Sequence, residues 1–324
     1  MTARRLLFVI LMSLYAGECN LLWAETKMDS LHFLIPAGPG GGWDNTARSV
    51  GEALVKSGIT DQVSFENLSG GNGGRAIAKL IETADRQQNT LLVNSSPMVI
   101  RSLQKIFPHN FRDLVPIASI IADYACFVVR HDSDIKDWGD AVRQYRENPR
   151  SLTVAGGSVR GSTDHLIVAK ALSLAGADPL EVIYIPYDGG GKAMAGLLSG
   201  ETRLLSTGLS EAIAMEQAGE VRIVAITASS RLEAYPNYPT LTEMGYPLDF
   251  ANWRGFFAAK GLQPQRYQAM EAALREVVST DAFEEIRRRN AWTSFFLGSE
   301  KFHQYLVTQE KEMGQMMLEL GFMK

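Results

Sequence analysis

The chain has 324 residues, of which 46% are hydrophobic and 21% charged, and its formal net charge is -4. This length accommodates two lobes, since single domains usually hold about 100 to 200 residues, and the composition excludes a disordered chain and a membrane bundle. The weak negative charge excludes general attraction to nucleic acid, so any anion must be held by a local group of residues.

The N-terminus predicts export. Arg4 and Arg5 precede the apolar run LLFVILMSLYA (6–16), which suits the hydrophobic region of a secretory signal and is too short to span a bilayer. We predict a signal peptide over residues 1–24, cleaved after Ala24. The mature protein is therefore expected to be exported from the cytoplasm.

Two alternatives to that cleavage stay open, namely lipidation at Cys19 and retention as an uncleaved anchor. Removal of the signal leaves Cys126 as the remaining cysteine of the chain. No disulfide is therefore expected, and the hydrophobic core must supply the stability.

Strand-like apolar runs alternate with helical patterns along the next 200 or so residues. The predicted strands are 31–36, 63–68, 91–96, 127–130, 152–156, 182–186, 203–208 and 221–227, and helical patterns between them cover 46–58, 162–176 and 191–200. This alternation predicts parallel sheets flanked by helices, with sites at the carboxyl ends of the strands.

The C-terminal part is predicted to contain three helices, over residues 266–280, 282–290 and 299–321. In the last of them an apolar stripe recurs at helical spacing, formed by Phe302, Leu306, Met313, Met317 and Leu320. Such a stripe is typical of a helix face packed on a core.

Four glycine clusters, at 38–42, 69–74, 156–162 and 188–192, each follow a predicted strand and precede a predicted helix. Glycine permits positive φ and close backbone approach, while the start of a helix presents unpaired N–H groups. These turns are therefore candidate anion sites.

Spacing excludes the nucleotide-binding motifs. A phosphate loop would need Ser or Thr where Ala193 stands, and a dinucleotide fingerprint beginning at Gly38 would need glycine where Trp43 stands. Neither Ser158 nor Ser210 lies in a nucleophile elbow. We expect no catalytic residue and no cofactor.

The five histidines are His32, His109, His131, His165 and His303, and they show no metal-ligand spacing. No metal site is therefore expected. His165 follows a glycine turn, where ligand contact and packing on the helix both remain open.

A carboxylate ligand explains the glycine turns. Each helix start carries roughly half a positive charge, and hydrogen bonds to a charged group contribute about 1.5 to 3 kcal/mol each. Several converging turns reach the ~8 kcal/mol of a micromolar complex. The sequence therefore predicts a binding protein for a small organic acid.

Five stretches carry a family resemblance: PAGPGGGWDNTAR, NLSGGNGGRAIA, GGSVRGSTDHLI, YIPYDGGGKAMAGLLSGE and NWRGFF. In this order they resemble the periplasmic solute receptors of tripartite tricarboxylate transporters, the Bug/TctC-like family, and most closely its citrate-type receptors. The likeness covers nearly the whole mature chain.

The resemblance implies an α/β, two-lobed type II periplasmic-binding-protein fold, each lobe a mainly parallel sheet flanked by helices. Lobe 1 would hold residues 27–125 plus 240–324, and lobe 2 residues 126–239, with two crossovers. It also implies a monomer in the periplasm, with the membrane permease subunits of the transporter as partners and no nucleic acid.

Within the first turn, the resemblance assigns ligand binding to Gly41, Gly42, Trp43 and Asp44. Asp44 is an acid beside an expected anion, so it either caps the helix or faces an ammonium group of the ligand. Trp43 either lines the pocket or packs in the core.

The resemblance also assigns ligand binding to Ser95 and Ser96, which end a strand and either donate hydroxyls or form the turn. Pro97 and Met98 depart from the family pattern there.

A second grip is implied at Ser158, Gly161, Ser162 and Asp164, with Ser162 also a candidate N-cap. Arg160 either meets a distal carboxylate or points to water. The closing loop is implied at Tyr187, Gly189 and Gly190, and further hydroxyls at Thr207 and Ser210. Arg254 either binds a multiply charged acid or forms an interdomain salt bridge.

Taken together, these features predict a non-enzymatic receptor that captures a small di- or tricarboxylate, citrate-like first, by hinge closure. Three alternatives stay open: a subunit that presents its ligand to a sensor kinase, a receptor for another carboxylate such as an acidic amino acid or an aromatic acid, and an enzyme built on the same fold.

Overall fold

A computed structural model describes residues 28–323, apart from the side chain of Asn72. The predicted signal peptide over residues 1–24, and Cys19 within it, lie outside the described residues. Across residues 28–323 no helix has the length and apolarity that crossing a membrane requires.

The described chain forms strands that all belong to one connected set. They are β1 (Met28–Ile35), β2 (Thr60–Asn67), β3 (Thr90–Ser95), β4 (Val115–Arg130), β5 (Val154–Gly156), β6 (Tyr184–Pro186), β7 (Leu204–Gly208), β8 (Val221–Ile226), β9 (Ala251–Ala258) and β10 (Thr293–Gly298). All eight predicted strands are confirmed, whereas β9, β10 and the first twelve residues of β4 were not predicted.

Helices cover both sheets. They are α1 (Gly42–Lys56), α2 (Gly74–Glu82), α3 (Pro97–Leu103), α4 (Trp138–Glu147), α5 (Thr163–Leu174), α6 (Gly190–Leu198), α7 (Leu209–Gln217), α8 (Pro264–Val277), α9 (Asp281–Arg289) and α10 (Ser299–Glu319). The predicted helices correspond to α1, α5, α6, α8, α9 and α10, and are confirmed.

Two sheets share strand β4. The first has the order β2-β1-β3-β9-β4 with β10 also on β4, and the second has the order β4-β7-β5-β6 with β8 also on β4. Pairings among β2, β1 and β3, and among β6, β5 and β7, are parallel. The prediction of mainly parallel sheets needs correction for β4, β8, β9 and β10, which pair antiparallel.

Strand β4 carries the chain from one sheet to the other. Its residues from Val115 to Tyr124 pair with β9, and those from Ala125 to Val128 pair with β7. The chain returns between β8 and β9, where Thr227 hydrogen-bonds to Ala125 and Phe250 through backbone and side chain. This buried threonine therefore ties the two crossings together.

The predicted apolar stripe of α10 is confirmed as core, because its five residues are at most 5% exposed. Its two ends join different cores: Phe302 and Leu306 pack beside the first sheet, whereas Met317 and Leu320 join the core of the second. The ion pair between Lys170 and Glu319, at 3.1 Å, reinforces that second contact. Helix α10 is thus a further connection between the two sheets.

The core of the second sheet also includes residues from the segment before β9. Leu241 and Leu248 pack there with Trp138 of α4 and Leu172 of α5. The predicted lobe boundary at residue 240 stays a prediction, and these contacts attach part of the returning segment to the second sheet.

One tight approach in the second sheet yields a stability prediction. A Cβ on Gly157 would lie 2.4 Å from the backbone nitrogen of Gly190, whereas a Cβ on Gly191 would meet nothing within 4 Å. We expect Gly157→Ala to lower the free energy of unfolding by about 1 to 3 kcal/mol because backbone must move. Thermal denaturation measures this.

Gly191→Ala is the matched control, and its melting temperature should stay unchanged or rise, because glycine weakens helices relative to alanine. Equal melting temperatures for Gly157→Ala and the unmodified protein would contradict the close approach of the two turns.

Candidate functional site

A cleft of about 610 Å³ lies between the two sheets. Its walls come from the turns that follow β1, β2, β5, β6 and β7, together with α3 and the crossing region of β4 and β9. The carboxyl ends of parallel strands meet at this point, as open α/β sheets place their ligands. Its volume suits a small organic molecule.

The structure brings ten of the sixteen predicted site residues to this cleft: Gly41, Gly42, Trp43, Ser158, Asp164, Tyr187, Gly189, Gly190, Thr207 and Arg254. The other six do not line it, and they are Asp44, Ser95, Ser96, Gly161, Ser162 and Ser210. Ligand contact by any of these residues stays a prediction.

Asp44 holds the first glycine turn. Its carboxylate is buried and accepts hydrogen bonds from the Gly40 N–H at 2.8 Å, from Arg48 Nε at 2.8 Å and from Asn67 Nδ2 at 2.9 Å. Burial alone would raise the pKa of Asp44, but these hydrogen bonds outweigh it and lower the pKa. The carboxylate of Asp44 is thus hydrogen-bonded within lobe 1. This arrangement favours a role in holding the turn over a contact with the ligand.

Trp43 combines the two roles that the sequence left open. It lines the cleft and packs against the core of the first sheet, and its Nε1 donates to Ser95 Oγ at 2.8 Å. Ser95 is fully buried and also accepts from Arg254 Nη1 at 3.3 Å. Ser96 is fully buried as well, and its N–H donates to Asn252. These serines position the wall of the cleft.

Arg254 and Arg101 are the basic residues of the lining. Both are about nine-tenths buried, and the Nε of each has no hydrogen-bond partner. Among residues 28–323 neither forms an ion pair, so the interdomain salt bridge predicted as one alternative for Arg254 is absent there. The side chain of Arg101 makes no hydrogen bond to any described residue, which leaves its guanidinium available to a ligand.

The turn after β5 differs from the predicted grip. Gly161, at a φ of 78°, donates its N–H to His165 Nδ1 at 3.0 Å, and Ser162 begins α5 without a hydrogen bond from its hydroxyl. Burial lowers the pKa of His165 to about 4, with a contribution from Arg160. His165 stacks on Tyr184, so the packing alternative holds for it.

Arg160 is exposed, in agreement with the predicted alternative that it points to water. Its Nη2 donates to the carbonyl oxygen of Tyr184 at 3.2 Å, and its exposed side chain does not line the cleft. Tyr187 lines the cleft, but its hydroxyl donates to Glu201 at 2.6 Å.

Beside the second sheet, carboxyl groups of the protein accept hydrogen bonds from the predicted hydroxyl donors and lie against the starts of helices. Ser210 donates both its N–H and its hydroxyl to Asp123, and Thr207 donates its hydroxyl to Glu211. The carboxyl group of Glu211 lies against Gly190, the first residue of α6. The predicted donors on this side are thus already engaged.

Two acids of the lining, Asp164 and Asp123, have raised pKa values. Burial raises the pKa of Asp164 to about 7, assisted by the nearby charge of Glu211. Burial also raises the pKa of Asp123 to about 6, although Arg254 and Ser210 counteract the shift. The ionised form of each acid is therefore less favoured than it is in water.

Sequence reasoning missed Arg101, Asp123 and Glu211 as lining residues. Asp123 had a visible signal, since it is the one acid within the apolar strand β4. Arg101 follows no motif, and Glu211 sits in the first turn of α7, where acids are common for their effect on helix stability. Among residues 28–323 there is no group of His, Cys, Asp and Glu that could hold a metal ion.

Comparison with known proteins gives consistent matches over this architecture. The model of the tripartite tricarboxylate transporter family receptor matches residues 46–322. Protein BugT of Bordetella pertussis is 28% identical over 260 residues, which cover 79% of this chain and 78% of BugT.

Two solved structures share the fold. Rpa4515 of R. palustris, determined with adipate, has a TM-score of 0.82 at 19% identity, over 90% of this chain and 97% of that one. MatC of Rhodopseudomonas palustris, determined with bound malate, has a TM-score of 0.78 at 18% identity, over 89% and 98%. The two-lobed periplasmic-binding-protein fold is thus confirmed.

The raised pKa of Asp164 predicts a pH effect on stability. An acid with a raised folded-state pKa stabilises the fold fully below its unfolded value, and this contribution is lost as the pH rises through about 7. Between about pH 5 and pH 8 the melting temperature of the ligand-free protein should therefore fall more than that of Asp164→Asn.

The exposed Asp85→Asn serves as the control and should follow the unmodified protein. Parallel melting curves for Asp164→Asn and the unmodified protein across this pH range would show that Asp164 ionises normally.

Proposed function

This chain belongs to the tripartite tricarboxylate transporter receptor family, and on that premise we propose that it captures a small carboxylate in the periplasm and presents it to the permease subunits of such a transporter. The observation that carries the proposal is Arg101, a buried guanidinium without a partner in a cleft between two lobes. A carboxylate supplies the planar acceptor that a guanidinium binds best.

Lobe 1 offers further donors around Arg101. The N-terminal N–H groups of α1 have no intrahelical partner, and Gly42 and Trp43 at this helix start line the cleft. The guanidinium of Arg101 lies beside Gly73, in the glycine turn after β2. We propose that these groups form the carboxylate grip, with Arg254 Nη2 packed against Gly42 as its support.

Closure follows from the two crossings. The ligand would contact the turns of both lobes and so favour a closed state, while β4 and Thr227 act as the hinge. We propose that the closed, monomeric form is what the permease recognises. We propose that the role is binding without turnover, as expected of a receptor of this family.

The finer prediction of a citrate-like ligand rests on the sequence resemblance. Asp123, Asp164 and Glu211 in the lining weigh against a fully ionised tricarboxylate, because like charges in a partly buried cleft repel. Two proteins that share this fold were determined with the dicarboxylates malate and adipate. The proposal therefore specifies the ligand as a small carboxylate.

Isothermal titration calorimetry tests the proposal with citrate, tricarballylate, succinate, malate, adipate, glutamate, aromatic acids and amino carboxylates. We expect at least one carboxylate to bind and to compact the protein in small-angle X-ray scattering. Heat from none of them would contradict the function, and binding without compaction would contradict the hinge mechanism.

Arg101→Gln should weaken the affinity for the carboxylate that binds by on the order of 10- to 100-fold, because a hydrogen bond to a charged group is lost. Arg150→Gln removes an exposed arginine outside the cleft and should leave the affinity unchanged. Equal affinities for the two variants would place the carboxylate elsewhere.

A further inference from the structure

The charges of the cleft are divided between its two walls. Arg101 comes from α3 beside the first sheet, whereas Asp164 and Glu211 come from α5 and α7 beside the second. The described lining contains no lysine and no histidine. One wall therefore attracts anions and the opposite wall attracts cations.

Most other charged groups of the lining have partners. Asp188 is exposed and forms an ion pair with Lys192 at 3.2 Å. Asp123 accepts two hydrogen bonds from Ser210 and feels the positive charge of Arg254. Three groups remain, namely Arg101, Glu211 and Asp164, of which Asp164 accepts hydrogen bonds from the neutral donors Ser158 and Gly157.

Arg101 on one side, and Asp164 and Glu211 on the other, form no ion pair with any described residue. Glu211 accepts from the Thr207 hydroxyl, a neutral donor. The nearby charge of Glu211 also raises the pKa of Asp164, because two like charges repel. A positive group between them would remove that repulsion.

The helix starts on the second sheet cannot act as anion sites in this arrangement. Asp164 lies in the first turn of α5, Asp123 accepts from the N–H of Ser210 at the start of α7, and Glu211 lies against the start of α6. The partial positive charge of each helix is thus already matched by an acid of the protein. No comparable acid faces Arg101 among the described residues.

We propose that the ligand is an amino carboxylate whose ammonium group is separated from its carboxylate by a short carbon chain. Arg101 and the glycine turns of lobe 1 bind the carboxylate, and Asp164 and Glu211 bind the ammonium group. This inference rests on the proposed function and names the ligand class of the same cleft.

The lining also offers apolar surface to the connecting chain. Both walls contribute to it, through Pro36, Ala37, Pro97, Val159, Ile167 and Phe250. Methylene groups gain about 0.8 kcal/mol each on burial against such surfaces. An α-amino acid, in contrast, carries its two charges side by side and would leave one wall unpaired.

Three matched pairs of ligands test the proposal by calorimetry on the intact mature protein: β-alanine with succinate, γ-aminobutyrate with glutarate, and δ-aminovalerate with adipate. Within a pair the carbon chain is the same and the distal ammonium replaces a carboxylate. We expect the best-fitting amino carboxylate to bind at least about tenfold tighter than its dicarboxylate partner.

Asp164→Asn and Glu211→Gln keep the size of each side chain and remove its charge. Each should shrink or reverse the preference for the amino member, while Asp85→Asn and Glu82→Gln, both exposed, should leave it unchanged. Circular dichroism confirms that the variants are folded before titration.

A dicarboxylate or citrate that binds tighter than every amino carboxylate overturns this inference and leaves the proposed function in place. An amino preference that survives both cleft variants also overturns it, because the acids would then not bind the ammonium group. No binding by any member of the panel contradicts the inference and the proposed function together.

Discussion

The pairing of a single strand with both sheets is the constraint on which the rest of the structure depends. Strand β4 pairs with β9 and β10 along its first part and with β7 and β8 along its second. The turns that follow the parallel strands of each sheet are thereby directed toward one cleft. Asp123 and Ala125 lie in β4 where the two sheets meet, so the proposed hinge also lines the cleft.

The two walls of that cleft differ in charge. Lobe 1 uses Asp44 to hold its glycine turn and keeps a buried guanidinium, Arg101, without a partner. Lobe 2 uses its own acids at its helix starts, which makes it the negative wall. Because burial penalises every unpaired charge, a ligand that pairs with both walls would gain most from closure.

Much of the architecture follows from the sequence, because strand, glycine turn and helix recur in a readable order. The eight predicted strands, the apolar stripe of α10 and the position of the glycine turns on the cleft are examples. Strand β9 escaped prediction because Arg254 and Gly255 interrupt its apolar run, and Pro116 and Asp123 interrupt that of β4.

The chemistry of the site was less predictable than its place. Whether the hydroxyls of Thr207 and Ser210 face a ligand depends on acids that arrive from elsewhere in the fold, and Asp123 lies 87 residues before Ser210. The unpaired state of Arg101 is likewise a property of its surroundings and leaves no trace in local sequence. Spacing alone therefore predicted an anion site and missed the acids on the opposite wall of the cleft.

A crystal structure of the protein with its tightest-binding ligand is the most direct test of this account. The account predicts closed lobes, a ligand carboxylate within hydrogen-bond distance of Arg101, and the opposite end of the ligand facing Asp164 and Glu211. A ligand outside the cleft, or one whose carboxylate contacts the second lobe while Arg101 stays unpaired, would contradict it.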